Sequence, residues 1–213
     1  MPVIAILNPK GGSGKTTVST NLAHSLYQRG RSVLMVDSDP QGSARDWHAA
    51  DEANPLPLVA LDRPNNIKTL STIAAAHDFV VIDGAAKLED MIAAAIKASD
   101  FVLIPVQPSP YDLWAVSDLV EFIKARQEVT DGKPLAAFII SRAMRGTKLG
   151  QEIEQALRDY ALPVFETHIT QRQVYPQTAA EGRTVFQGSN ADAIAEINAL
   201  TDEVLAFIGK GRA

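Results

Sequence analysis

Two lysines bracket a glycine-rich run near the start of the chain. Lys10 and Lys15 stand on either side of Gly11-Gly12-Ser13-Gly14, and Thr16 and Thr17 follow directly. Glycines let successive backbone N–H groups turn toward one point without Cβ clashes, which is how a loop binds phosphate. Lys15 can reach the β- and γ-phosphates of a nucleotide, and the Thr16 hydroxyl can bind Mg²⁺. These residues therefore predict a site for a nucleoside triphosphate and its metal ion.

Three aspartates fall where apolar strands are predicted to end. Asp83 follows residues 79–82, and Asp37 and Asp39 follow residues 32–36. Beside a phosphate loop, an aspartate at the end of a buried strand can hold Mg²⁺ directly or through water. Of the pair Asp37 and Asp39, one can support the metal and its waters, and the other can position or deprotonate the attacking water. The alternative for each aspartate is a solvated residue that begins a turn.

These residues need a scaffold that brings strand ends and a helix start together. Short apolar runs alternate with segments of helical spacing through most of the chain. This alternation predicts a parallel sheet covered on both faces, with ligands beyond the carboxyl ends of the strands. We expect one α/β domain over residues 1–213, with the three-layer fold of P-loop NTPases and a mostly parallel sheet. The predicted strands are 3–7, 32–36, 56–61, 79–82, 101–106, 135–140 and 163–165, and the predicted helices are 17–30, 43–53, 66–76, 88–98, 112–128, 148–160 and 190–208.

The composition excludes several classes of site. The chain has 213 residues and a formal net charge of -5, so no global basic field indicates a nucleic acid partner. There is no cysteine, which excludes disulfides, cysteine zinc sites and iron–sulfur clusters held by cysteine. The four histidines are isolated and lack metal-ligand spacing. No basic leader precedes the first strand and no apolar run reaches about 18 residues, so we expect a soluble cytoplasmic protein.

Three motifs together resemble those of one family. Asn8-Pro9-Lys10-Gly11-Gly12-Ser13-Gly14-Lys15-Thr16-Thr17 has proline where the standard pattern G-x-x-x-x-G-K-[ST] begins with glycine. It is similar to the deviant Walker A motif K-G-G-x-G-K-[ST] of the ParA/MinD ATPases. Val36-Asp37-Ser38-Asp39-Pro40-Gln41 resembles their D-x-D-P-Q segment, and Val81-Ile82-Asp83-Gly84-Ala85 resembles their Walker B motif. The similarity is closest to the small ParF-like partition ATPases, to which residues 104–110 and 169–175 are also similar.

The resemblance implies a switch that two subunits share. Lys10 would be the signature lysine, which reaches the phosphates of the partner subunit in an ATP-dependent homodimer, as an arginine finger does in trans. Asp39 matches the residue that orients the hydrolytic water, and Asp37 and Asp83 match residues near Mg²⁺. The implied cofactors are ATP and Mg²⁺, and the implied reaction is Mg²⁺-dependent hydrolysis of ATP to ADP and phosphate.

The resemblance also implies the remaining nucleotide contacts. Thr17 would lie near the α-phosphate, and the proline turn at 105–110 would border the adenine and the dimer face. Arg142 stands where the family often has an adenine-contacting residue, although many relatives carry asparagine there; the alternative is a solvated arginine. The predicted nucleotide-binding set is Gly11, Gly12, Ser13, Gly14, Lys15, Thr16, Thr17, Pro108 and Arg142.

DNA is a further partner that the resemblance implies. ParA-type dimers hold nonspecific chromosomal DNA through basic residues distant from the phosphate loop, and release it after hydrolysis that a small centromere-binding or adaptor protein stimulates. The ATP-bound chain would therefore associate with the nucleoid. Two weak basic patches brought together by dimerisation strengthen phosphate binding through counterion release. Arg172 is the first candidate for DNA contact, and the others are Arg145, Lys148 and Arg183.

Two other functions compete with DNA segregation. A MinD-like positioning ATPase would cycle on a membrane through a basic amphipathic terminal helix, but the polar face of the helix predicted at 190–208 is acidic, which favours packing on the core. A metabolic P-loop ligase resembling dethiobiotin synthetase would share the fold, although Lys10 favours a dimer switch. The cargo stays open between a plasmid complex, a chemoreceptor cluster and another cytoplasmic body.

Overall fold

A sheet of seven strands is the framework of the fold. The computed structural model describes residues 1–67, 69–86, 89–144 and 146–210. The strand order is β3-β2-β4-β1-β5-β6-β7, and each described pairing is parallel. The prediction of an α/β fold with a mostly parallel sheet is confirmed. The strands are β1 (Val3–Ile6), β2 (Val33–Asp37), β3 (Leu58–Ala60), β4 (Phe79–Asp83), β5 (Phe101–Val106), β6 (Leu135–Ala143) and β7 (Val164–Thr170).

Helices cover both faces of this sheet. The helices of the described residues are α1 (Lys15–Gln28), α2 (Ser43–Ala49), α3 (Pro64–Ile67), α4 (Leu70–Ile73), α5 (Glu89–Ala98), α6 (Pro110–Ala115), α7 (Ser117–Glu128), α8 (Lys148–Arg158), α9 (Val174–Ala180) and α10 (Ala191–Lys210). Successive residues of a strand face opposite sides, so β1 contributes to two cores. Val3 and Ala5 lie in the core formed with α5, α7 and α8, whereas Ile4 and Ile6 lie in the core formed with α1 and α10.

Two predicted helices are divided in the structure. The helix predicted at 66–76 becomes α3, α4 and a 3₁₀ turn at Ala74–Ala76. The helix predicted at 112–128 begins earlier, because Pro110 suits the first helical position, and it divides into α6 and α7. At Val116, between these two helices, ψ is -7°, which departs from the helical value of about -42°. Helix α9 was not predicted, since its seven residues carry too short a pattern.

The terminal helix α10 packs against the sheet, as its acidic polar face predicted. Its apolar residues Ile197, Leu200 and Val204 are fully buried in the core on the α1 side. Two carboxylates of its polar face, Glu196 and Glu203, accept hydrogen bonds from backbone N–H groups of β7, which is the last strand of the sheet. Within the described ranges, no helix has the length and apolar content needed to span a lipid bilayer.

Candidate nucleotide-binding site

The glycine-rich loop connects β1 to α1 at the carboxyl edge of the sheet. Gly12 and Gly14 adopt left-handed φ angles of 79° and 95°, which favour glycine. A Cβ atom added at Gly11 or Gly12 would meet no atom within 4 Å, so the loop faces open space. The backbone N–H groups of residues 11–14 have no acceptor among the described residues. Unpartnered N–H groups beside a helix N-terminus form an anion-binding site, which matches the predicted phosphate loop.

Side chains from the neighbouring strand ends hold this loop. Asn8 Nδ2 donates to the Pro105 carbonyl at 2.7 Å, Gln107 Nε2 to the Gly12 carbonyl at 2.6 Å, and Ser141 Oγ to the Ser13 carbonyl at 2.6 Å. The loop is therefore fixed to β5 and β6 before any ligand binds. Sequence reasoning missed these three residues because their partners lie 97, 95 and 128 positions away along the chain.

Lys15 is a largely buried cation at the centre of the site. Its side-chain nitrogen donates to the Lys10 carbonyl at 3.2 Å. Burial lowers the pKa of the Lys15 ammonium, and the nearby carboxylates of Asp83 and Asp39 oppose that shift. A poorly hydrated ammonium attracts anions strongly, because little water screens its charge. This environment is suited to a phosphate group.

Thr16 and Asp83 meet at the edge of the loop. The Thr16 hydroxyl donates to Asp83 Oδ2 at 2.7 Å, and the Ser19 hydroxyl donates to Asp83 Oδ1 at 2.9 Å. Burial raises the pKa of the Asp83 carboxyl to about 7, against the opposing effect of these hydrogen bonds. A buried carboxylate beside a hydroxyl suits Mg²⁺, which binds proteins through one or two carboxylates and completes its shell with phosphate and water. No group of three or more metal-binding side chains occurs in the described part of the chain, so such an ion would depend on the phosphates.

Asp37 is fully buried and already makes several hydrogen bonds. Its Oδ1 accepts the N–H of Asp39 at 3.0 Å, and its Oδ2 accepts the N–H of Arg45 at 2.9 Å and lies 3.3 Å from the Arg45 Nε. Burial raises the pKa of the Asp37 carboxyl, and the N–H donors of Arg45 and Asp39 oppose this effect. Asp37 stands opposite Asp83 in the register of β2 and β4. Its contacts order the start of α2, and its predicted role near Mg²⁺ stays a prediction.

Arg45 is a site residue that sequence reasoning missed. Its guanidinium contacts Asp37, donates to Asp62 Oδ2 at 3.0 Å and donates to the Asp39 carbonyl at 2.9 Å. Arg45 thus fixes the backbone of the segment that carries Asp39, whose own Oδ1 accepts the N–H of Gln41 at 3.0 Å. The Asp39 side chain is half-buried at the same edge as Lys15, and its role toward water stays a prediction. The signal available in the sequence was that Arg45 follows Asp37 closely and lies just after the start of a predicted helix.

Lys10 lies against its own subunit. Its ammonium forms an ion pair with Asp112 in the first turn of α6 and lies 6.0 Å from the centre of the Tyr111 ring. The predicted contact with a partner's phosphates therefore requires the lysine to leave this position. Two aromatic residues beside it, Tyr111 and Trp114, are largely exposed and contact each other edge to face.

The two residues predicted to border the adenine line different cavities. Arg142 is exposed with a left-handed φ of 50°. It lines a cavity of about 160 Å³ together with Gly14 and Thr17 of the phosphate loop and α1. Pro108 instead lines a cavity of about 620 Å³ between β6, α8, β7 and α10. Of these two residues, Arg142 is thus the one that lies near the phosphate loop and Thr17.

The residues predicted to contact DNA are mostly paired with carboxylates. Arg172 lies 2.8 Å from Glu196 and 3.4 Å from Asp192, and these contacts raise its pKa, first through the Glu196 hydrogen bond. Lys148 lies 3.5 Å from Glu152, and Arg183 lies 3.0 Å from Glu181 and 4.0 Å from Asp51. Arg145 lies outside the described residues. Acidic partners offset these charges, and the DNA contacts stay predictions.

The fold and the site together define a P-loop nucleotide-binding protein. The model of the CobQ/CobB/MinD/ParA nucleotide binding domain family matches residues 4–185. The chain belongs to this family, which confirms the resemblance to ParA/MinD proteins. The particular similarity to ParF-like members stays a prediction. The ATPases of the family use ATP and Mg²⁺, which are the predicted cofactors.

Individual relatives match the chain over most of its length. "Maintenance of carboxysome distribution protein A" of Halothiobacillus neapolitanus is 35% identical over 208 residues, which are 95% of each chain. Protein ParA of Rhizobium radiobacter is 30% identical over 185 residues, 82% of this chain and 81% of the relative. The solved structure of apo McdA from "Cyanthece" has a TM-score of 0.79 at 20% identity and covers 96% of this chain and 99% of its own. Cobyrinic acid a,c-diamide synthase from Mycobacterium smegmatis, with bound ATP analogue and magnesium, has a TM-score of 0.77 at 19% identity, covering 96% and 94%. These two structures share the fold.

Proposed function

We propose that this chain is a single-domain, Mg²⁺-dependent ATPase that dimerises on ATP, binds nonspecific DNA as a dimer and positions a cargo. Adaptor-stimulated hydrolysis returns it to a monomer without DNA affinity. The observation that carries the proposal is the loop with unpartnered N–H groups, in which buried Lys15 lies beside the Thr16–Asp83 pair. This arrangement can bind a triphosphate and its metal ion.

The residues of the site have separate roles in this proposal. Lys15 and the N–H groups of residues 11–14 bind the phosphates, while Thr16 and Asp83 hold the metal ion, which neutralises phosphate charge when bound. Asp39 orients the attacking water, and Arg45 keeps the backbone of Asp39 in place. Lys10 serves the nucleotide of the partner subunit. Hydrolysis is therefore slow in a monomer, because that lysine is missing from the monomer's own site.

The central experiment replaces Asp39 by alanine. The variant should lose hydrolysis by about 10²- to 10⁴-fold, as expected when a residue that positions water is removed, while it still binds ATP. It should accumulate as a dimer in light scattering with ATP and should retain DNA in a gel. Asp46→Ala is the matched control, because Asp46 is an exposed carboxylate in the adjacent helix α2. If Asp39→Ala with ATP gives neither a dimer nor DNA retention, the switch is refuted.

The basis of DNA binding can be separated from nucleotide binding. Nonspecific retention should weaken steeply with salt, because each phosphate contact releases counterions. Arg172→Ala tests the first candidate, whose ion pairs with Glu196 and Asp192 would have to open near DNA. If this variant retains DNA with the wild-type salt dependence, Arg172 is not a DNA contact.

The names of two relatives indicate two kinds of cargo. The Halothiobacillus relative is named for carboxysome distribution, and the Rhizobium relative is a ParA protein. We propose a cytoplasmic body or a plasmid complex, linked through a small adaptor and localised with the ATP-bound chain on the nucleoid. Identifying what co-purifies with the ATP-locked Asp39→Ala dimer distinguishes these cargoes.

The membrane-cycling function receives a direct test. Its structural requirement is a helix with a free apolar face, but the residues of α10 that face the sheet, among them Ile197, Leu200 and Val204, are buried in the core. Sedimentation with anionic liposomes in ATP should therefore leave the chain in the supernatant. Co-sedimentation that depends on ATP would show that the partner is lipid and not DNA.

A further inference from the structure

A buried carboxylate retains the signature lysine within its own subunit. The Lys10 ammonium donates to Asp112 Oδ2, and the two residues are 102 positions apart in the chain. The Asp112 side chain is only 1% exposed, whereas that of Lys10 is 36% exposed. The ion pair therefore connects the phosphate loop with the short helix α6 that follows β5.

The Asp112 carboxylate has few other interactions. Its Oδ1 is buried and has no hydrogen-bond partner in the described part of the chain. Among the described residues, Lys10 is the one ion-pair partner of Asp112. Departure of Lys10 leaves the buried Asp112 carboxylate without a compensating charge, which is unfavourable. Lys10 therefore leaves Asp112 only when its attraction to another anion exceeds this cost.

We propose that Asp112 is a positioning residue that keeps Lys10 in the same subunit until a triphosphate in a partner attracts it. The inference rests on the proposed function, in which Lys10 contacts the partner's nucleotide. ATP with its γ-phosphate carries more negative charge than ADP and competes better with a single carboxylate for the lysine. The Lys10–Asp112 ion pair thus makes dimerisation depend on the γ-phosphate, and it keeps the nucleotide-free and ADP-bound chains monomeric.

The test measures dimerisation against nucleotide concentration. Light scattering with a non-hydrolysable ATP analogue, and separately with ADP, compares the wild type with Asp112→Asn, which keeps the shape and removes the charge. Asp112→Asn should dimerise at about tenfold less analogue, as expected for an ion pair that is buried on one side only, and should form dimers with ADP. Asp118→Asn is the matched control, because Asp118 is an exposed carboxylate in the next helix. It should behave as the wild type.

A double variant shows whether Asp112 acts through Lys10. If it does, Asp112→Asn should gain nothing when Lys10 is already alanine, so Lys10→Ala and the double variant should dimerise equally. If Asp112 has a purely structural role, the single and the double variant that carry Asp112→Asn should both be less stable. Dimerisation should then depend on the γ-phosphate as it does in the wild type. If Asp112→Asn folds poorly, Asp112→Ser provides a second neutral variant. It too should dimerise at a lower concentration of analogue than the wild type.

The outcomes separate this inference from the function on which it rests. If the wild type dimerises with the analogue but Asp112→Asn and Asp112→Ser need as much analogue or more, Asp112 does not retain Lys10 and the inference is overturned. If the wild type itself stays monomeric at saturating analogue, the proposed dimer switch fails first.

Discussion

Replacement of Gly84 by alanine should disturb the metal side of the site through the backbone. Gly84 follows Asp83 at the end of β4, and its N–H donates to the Ile6 carbonyl at 3.1 Å. A Cβ atom added to Gly84 would lie 2.3 Å from Leu7 Cδ2 and 2.7 Å from the Ile6 carbonyl oxygen. The Leu7 side chain can rotate, but the Ile6 oxygen belongs to a central strand and cannot. The end of β4 must therefore move away from β1.

The magnitude follows from this overlap. Insertion of one carbon into a well-packed core costs about 1–3 kcal/mol, and contact with a central backbone atom places Gly84→Ala near the upper limit. For a chain of this length, that loss of stability lowers the melting temperature by about 2–4 °C per kcal/mol. Because the same movement displaces Asp83 from Thr16, affinity for ATP with Mg²⁺ should fall as well.

The assay combines urea unfolding with titration of a fluorescent ATP analogue in Mg²⁺. Gly209→Ala is the control, because a Cβ there would meet no atom within 4 Å and Gly209 lies in α10, where alanine favours the helix by up to about 1 kcal/mol. It should be neutral or slightly stabilising and should bind nucleotide normally. A Gly84→Ala chain as stable as the wild type would refute the close approach of β4 and β1, and lower stability with unchanged Mg²⁺-ATP affinity would refute its link to the metal site.

Two further predictions concern the packing behind the site. Trp47 is buried and its Nε1 donates to the Arg183 carbonyl at 2.9 Å, so Trp47→Phe should lose about 1–3 kcal/mol in urea unfolding because a polar group loses its partner; an unchanged midpoint would contradict this contact. Burial lowers the pKa of the His24 imidazole, which bonds Thr184 Oγ1 at 2.8 Å. The unfolded state then binds more protons, so stability should fall as pH drops below about 6.5, and His24→Gln should reduce that fall; equal pH dependence in both chains would contradict it.

The sequence predicted the elements and their order because both depend on short-range patterns. Apolar runs bounded by turns predicted each of the seven strands, with β6 and β7 extending farther than expected, since the length of a strand also depends on its neighbour. The divided helices and α9 were not predictable, because short helices are stabilised by tertiary packing more than by their own pattern.

One rule of parallel sheets made part of the candidate site predictable. Carboxyl ends of parallel strands meet at one edge, so Asp83 could be expected near Thr16, and the two are hydrogen-bonded. The same rule could not give the identities of Asn8, Gln107 and Ser141 as holders of the loop. Their partners depend on which strands are neighbours, and many polar residues near strand ends are equally suitable candidates.

By itself, the sequence determined that a phosphate loop begins a parallel α/β fold, because glycine geometry and the strand–loop–helix order act within a dozen residues. Only the tertiary structure decided the surroundings of Lys10. The sequence predicted a lysine directed at a neighbouring subunit, whereas the fold pairs it with Asp112 in its own. An ion pair across 102 positions exists only because β1 and β5 are adjacent in the sheet, and no local pattern encodes that adjacency.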